Sequence, residues 1–154
     1  MSVAGIGWDS HRLEEGRPLV LGGVEIPGAE RGLAGWSDAD VLTHAVIDAL
    51  LGAAGLGDIG QHFPDTDERW RDADSIGLLR VVRDMLPGPP AHVDATVMCE
   101  APRLGQHRDA MRARLAEALG LEAVAVNVKF TTAEGMGFVG RGEGIAALAV
   151  ATLA

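Results

Sequence analysis

The chain has 154 residues, 47% of them hydrophobic, which is enough apolar side chain for one cored domain, expected over residues 1–154. A formal net charge of −9 without a basic patch argues against a nucleic-acid partner, and no apolar run reaches the ~18 residues of a membrane span. No basic flank leads into an apolar run at the start, and Cys99 has no second cysteine to pair with, so a cytoplasmic location is expected.

In chain order, residues 3–13 (VAGIGWDSHRL) read as a strand interrupted by glycines, and residues 18–27 as a hairpin turning at Gly22-Gly23. A loop over 30–40 leads into a helix predicted from Asp38 to Leu51. Val41, Leu42, Ala45, Val46, Ala49 and Leu50 form its apolar stripe, and Ser37 and Asp40 form an S-x-x-D start signal. Asp40, His44 and Asp48 fall four apart, away from the centre of that stripe, and Gly52 and Gly55 weaken the helix end. Residues 55–74 read as a long polar loop, a length that is usually functional or disordered. Ser75–Met85 reads as an amphipathic helix ended by Pro-Gly-Pro-Pro, and residues 91–99 as an alternating strand. A third helix is predicted from Leu104 to Leu119, stopped by Gly120. A strand follows over 123–132, with Val124, Val126, Val128 and Phe130 on one face. The tail, 144–154, is alanine-rich like a helix but carries the Val, Ile and Thr of a strand. This order predicts an α+β fold, a mixed sheet with helices covering one face.

Asp9 and His11 lie two apart on the first strand and therefore project from one face. With His44 they make two imidazoles and a carboxylate, the number of protein ligands that a catalytic zinc site uses. From spacing alone they read more readily as ordinary polar residues than as a metal site. Asp40 or Asp48 can orient the free nitrogen of His44, or can belong to a solvated acidic face. Asp58, His62, Asp65 and Asp67 fit turn chemistry better than a ligand set. The segment 129–144 (KFTTAEGMGFVGRGEG) can surround a phosphate with hydroxyls and backbone N–H groups, and Glu134 can hold a divalent cation. The alternative is a turn-rich crossing into the last element. An acidic chain binds phosphates where metal ions supply the positive charge. No G-x-S-x-G elbow or P-loop is present, Cys99 sits in an apolar strand, and the three Trp form no stacking ladder.

Taken in order, GIGWDSHRL, LVLGGVEIP, SDADVLTHAVIDALLGAAGLGDIGQHFPDTD, EAPRL and TTAEGMGFVGRGEGIA resemble the 2-C-methyl-D-erythritol 2,4-cyclodiphosphate synthase family across nearly the whole chain. The resemblance implies a CMP-forming, cyclising phosphorus-oxygen lyase of non-mevalonate isoprenoid biosynthesis. It implies Zn2+ on Asp9, His11 and His44, and a second divalent metal, Mg2+, at Glu134. Ser37 and Thr132 correspond to polar groups near the diphosphate. Asp58, Gly60, Phe63 and Asp65 correspond to the loop around the methylerythritol unit. Ala101, Pro102, Arg103, Leu104 and Thr131 correspond to the cytidine cradle, and Phe138 and Arg141 to a central channel. The family is a homotrimer with active sites between subunits. Trp36 stands where the family often has His, Ala39 for Gly, Ala133 for Thr and Arg103 for Lys; none removes an implied metal ligand. A non-catalytic metal-binding trimer and a general metallophosphatase are the alternative readings.

Overall fold

The computed structural model describes residues 2–154. Its strands are β1 (Val3–Glu15), β2 (Val20–Leu21), β3 (Val24–Glu25), β4 (Arg31–Leu33), β5 (Pro90–Met98), β6 (Val126–Thr131) and β7 (Gly144–Leu153). Its α-helices are α1 (Val41–Ala54), α2 (Ile59–His62), α3 (Ser75–Met85), α4 (Arg108–Leu119) and α5 (Gly137–Gly140). The predicted α+β class holds. A five-stranded sheet has the order β4-β1-β7-β5-β6, and β2 and β3 form a separate hairpin. Among the described residues β5 and β6 pair in parallel and the other neighbouring strands antiparallel, so the sheet is mixed.

The ambiguous tail is a strand, and a central one: β7 pairs antiparallel with β1 on one side and β5 on the other. Its inward residues, Ile145, Ala147, Ala149, Ala151 and Leu153, are buried. Alanine suits this position because α1 lies almost on the strands. A Cβ added at Gly7 would lie 1.9 Å from the Ala45 carbonyl oxygen, and one at Gly5 would lie 2.1 Å from that of Ala49. The two glycines of β1 are therefore the contact that brings helix backbone against strand backbone.

Two helical expectations and one strand expectation change. The first helix begins at Val41 with Asp40 as its N-cap, and it is buried all round rather than along one stripe. Asp40 is fully buried and accepts bonds from Gly22 N (2.8 Å), Gly23 N (2.7 Å) and Thr43 N (3.0 Å). It thus ties the hairpin turn to the helix start, and burial pushes its pKa up despite those bonds. The third helix is split into a short 3-10 turn, Gly105–His107, and α4. Residues 123–125 form a 3-10 turn, which leaves Val124 exposed instead of on a strand face.

The opposite sheet face is bare. Ile6 and Trp8 of β1 stand across from Val150 and Leu148 of β7, and all four are exposed. Among the described residues no helix is long and apolar enough to cross a membrane.

Candidate active site

β1 presents Asp9 and His11 toward the first turn of α1, which carries His44. Asp9 Oδ2 lies 2.8 Å from His11 Nε2 and 3.1 Å from His44 Nδ1, and the two ring nitrogens are 3.3 Å apart. Ligands held about 2.0 Å from a tetrahedral centre lie about 3.3 Å from one another, so the spacing matches three corners of a zinc site.

The surrounding hydrogen bonds settle which ring atoms carry protons. His11 Nδ1 is 2.9 Å from the Ala34 carbonyl, which can only accept, so Nδ1 is protonated and Nε2 keeps its lone pair in the neutral ring. His44 Nε2 is 2.7 Å from Ser75 Oγ. Ser75 gives its single hydroxyl hydrogen to Asp38, and its backbone N–H donates to the same carboxylate at 2.9 Å. Ser75 Oγ must then accept from His44 Nε2–H, which leaves Nδ1 as the bare nitrogen. Three lone pairs converge with every hydrogen directed outward, an arrangement that a cation relieves. Burial opposes charge on Asp9, but the bonds and charges of His11 and His44 outweigh it and hold its pKa at about 2. Burial likewise opposes protonation of His11, and Asp9 outweighs it, raising the His11 pKa.

The predicted orienting carboxylates do other work. Asp40 caps α1, and Asp48 accepts from Ile59 N at 3.1 Å, tying α1 to α2. The residues that orient His44, Asp38 and Ser75, escaped the sequence reading. The signal available was a buried serine opening α3 opposite the Ser-Asp-Ala-Asp turn, which needs tertiary contact to be seen.

A cavity of about 420 Å³ opens over Asp9, His11 and His44, lined also by Trp36, Ser37, Gly60, Phe63, Asp65 and Trp70. Ser37 Oγ is 3.3 Å from His44 Nε2 at its base. The loop expected over 55–74 is partly helical: Asp58 and Gln61 form a reciprocal capping box at α2. Asp58 Oδ1 serves as that cap, and the residue stands just outside the cavity lining. His62 bonds the Leu56 carbonyl at 2.7 Å and is structural. Trp36 pins this loop. Its indole donates to the Asp67 carbonyl at 3.1 Å, its own carbonyl accepts from Asp72 N at 2.8 Å, and Arg71 lies 4.3 Å from its ring. Phe63 and Trp70 meet edge to face at 5.0 Å on the cavity wall. Ala39, at φ +57°, makes the left-handed turn that sets Ser37 and Asp38 on the site.

A second cavity, of about 600 Å³, lies at the ends of β5 and β6. Its walls include Glu100, Pro102, Arg103, Leu104, Arg108, Phe130, Thr131 and Thr132. Ala101 stands just outside this lining, and Glu134 is exposed nearby. Three backbone N–H groups of the 129–144 segment have partners within the chain. Ala133 N and Gly135 N donate to Glu100, and Glu134 N donates to Thr132 Oγ1. Phe138 lines a third, smaller cavity with Arg12 and Glu143, and Arg141 pairs with Glu143 at 3.2 Å. Within one chain, therefore, the Asp-His-His cluster and the segments carrying Arg103, Thr132 and Glu134 stand in separate cavities, with β7 between their strands.

A family model described as the YgbB family matches residues 2–154. The chain is 60% identical over 152 residues to the 2-C-methyl-D-erythritol 2,4-cyclodiphosphate synthase of Salinibacter ruber, covering 97% of this chain and 96% of that protein. It is 62% identical over 154 residues to the synthase of the same name from Rubrobacter xylanophilus, covering 97% and 93%. A solved 2C-methyl-D-erythritol-2,4-cyclodiphosphate synthase in a CDP-bound form superposes with a TM-score of 0.87 at 40% identity, over 96% of this chain and 97% of that one. The bifunctional IspDF of Campylobacter jejuni matches with a TM-score of 0.94 at 43% identity, over 99% of this chain and 42% of the longer one.

Proposed function

The chain belongs to the YgbB family, and from that membership we infer that it converts 4-diphosphocytidyl-2-C-methyl-D-erythritol 2-phosphate to 2-C-methyl-D-erythritol 2,4-cyclodiphosphate plus CMP. The observation that carries the reading is the set of three converging lone pairs on Asp9, His11 and His44 in a chain alike to its relatives from end to end.

A 2-phosphate oxygen attacks the β-phosphorus, the bond from that phosphorus to the bridging oxygen breaks, and CMP leaves with the electron pair. The nucleophile is already ionised at neutral pH, so no general base is required. The barrier lies in crowding anions together and ordering a flexible chain. Asp9, His11 and His44 would hold Zn2+ and Glu134 would hold Mg2+, and cations there would supply Lewis-acid relief of that charge worth several kcal/mol. Two imidazoles and one carboxylate suit zinc. A single exposed carboxylate, which would leave most of a cation's coordination positions to other groups, suits magnesium.

The chain's own residues position the reactants. Ser37 meets the diphosphate at the base of the cavity over Asp9, His11 and His44, where Gly60, Phe63, Asp65 and Trp70 hold the methylerythritol unit. Asp58 shapes this wall by capping α2. Pro102, Arg103, Leu104 and Thr131, with the Ala101 backbone beside them, receive the cytidine, and Thr132 points to its phosphates. Holding nucleophile and electrophile together contributes up to ~7–11 kcal/mol. The larger cavity also argues against a bare metal-binding module, which has no use for it.

The assembly is a homotrimer in which the Asp-His-His cavity of one protomer faces the nucleotide cavity of the next. The exposed Ile6, Trp8, Leu148 and Val150 support burial of the bare sheet face between copies. Phe138 and Arg141 then line the central channel. The direct test is incubation with the diphosphocytidyl substrate, with and without chelator, followed by mass spectrometry. CMP and the cyclic diphosphate appear together, only when metal is present; release of inorganic phosphate instead makes the protein a phosphatase.

A further inference from the structure

Glu100 links the two segments that build the larger cavity. Its Oε2 accepts from Ala133 N at 2.9 Å, and its Oε1 accepts from Gly135 N at 3.0 Å. These amides bracket Glu134, which is held at φ +53°, a left-handed conformation that disfavours any residue with a Cβ. On its other side Glu100 continues into Ala101 and Pro102, and the preceding Cys99 N–H bonds the Thr131 carbonyl at 2.9 Å. One carboxylate therefore grips the backbone on both sides of Glu134 from within the wall of the neighbouring cavity. Charge-assisted bonds to two amides two residues apart fix the direction in which the residue between them points.

We infer that Glu100 is a positioning residue that couples nucleotide occupancy of this cavity to cation binding at Glu134. The inference rests on the reading above, in which the cavity takes a cytidine diphosphate and Glu134 a divalent cation. A nucleotide settling against residues 100–104 braces Glu100. A braced Glu100 holds Glu134 in place for a cation shared with the phosphates, and by linkage the cation tightens the nucleotide by the same factor.

The test compares Glu100→Ala, Glu100→Gln and the unaltered protein by calorimetric titration of CDP in Mg2+ and in EDTA. Amide hydrogen exchange is followed at Ala133 and Gly135. CDP binds the unaltered protein more tightly in Mg2+. Glu100→Ala cuts that enhancement by about tenfold, or to unity where it is smaller, and speeds exchange at both amides. Glu100→Gln keeps one accepting oxygen and falls between. Glu134→Gln loses the enhancement while its flanking amides stay protected, which separates loss of the ligand from loss of the clamp. Full Mg2+ enhancement in Glu100→Ala, or unchanged exchange at Ala133 and Gly135, overturns the inference. If the unaltered protein binds no CDP, or binds it without regard to Mg2+, the functional reading fails and the coupling falls with it. The exchange data still decide whether the clamp exists.

Discussion

Ser75 has one hydroxyl hydrogen and Asp38 takes it, so His44 is held in the tautomer whose Nδ1 faces Asp9 and His11. A serine in this position acts through the ring it orients, and loss of such partners typically costs 10–100-fold in metal affinity. Ser75→Ala should therefore weaken zinc binding by about that factor in a chelator competition, and because it strips a buried hydroxyl from both Asp38 and His44 it should also cost about 1–3 kcal/mol of stability. Zinc affinity equal to the unaltered protein's would show that the ring needs no such support. Cys99 gives a prediction of the opposite kind. Burial pushes its thiol to about 11, so the thiolate fraction at pH 8 is about a thousandth. Iodoacetamide at pH 8 should leave it unmodified in the folded protein and alkylate it in urea. Rapid labelling of the native chain would return Cys99 to the list of reactive groups.

The contact between β1 and α1 decides whether the ligands meet at all. Gly7→Ala places a Cβ 1.9 Å from the Ala45 carbonyl oxygen, backbone against backbone, where no side-chain rotation gives relief. The helix has to move, at a cost of about 2–4 kcal/mol, and His44 moves with it. Urea denaturation should show the loss and zinc titration a weakened site; normal values in both would contradict the close packing. This element also shows what was legible in the sequence. The two-residue period of β1 placed Asp9 and His11 on one face, because strand geometry leaves no other arrangement. The helix containing His44 was found, but whether its polar face is buried stayed open, since the hairpin and α3 that cover it are distant in sequence. β7 stayed ambiguous because alanine favours helices in isolation, whereas here its small size lets a helix lie on a central strand. Residues 58–62 carried a readable D-x-x-Q cap, but a helix of one turn leaves no apolar period. The Glu100 clamp joins residues 33 and 35 apart, a pairing that no local pattern announces.

Across the whole molecule, the separation of the two cavities has a consequence for mixed assemblies. If each active site combines the Asp-His-His cluster of one protomer with Glu134 of its neighbour, a variant lacking His44 and a variant lacking Glu134 damage different halves of the site. His44→Ala and Glu134→Ala should each be inactive alone. Dissociated together and reassembled at equal ratio, they place an intact His44 beside an intact Glu134 at about one site in four, because closed symmetry gives every protomer one neighbour on each side. CMP release should then return to about a quarter of the unaltered rate, and the mixture should run as a trimer by light scattering. If the mixture stays inactive while trimers of mixed composition form, both groups belong to the same chain's site. The cavity carrying Arg103 and Thr132 would then have to reach its own chain's histidines around β7, a path that the sheet order in this fold obstructs.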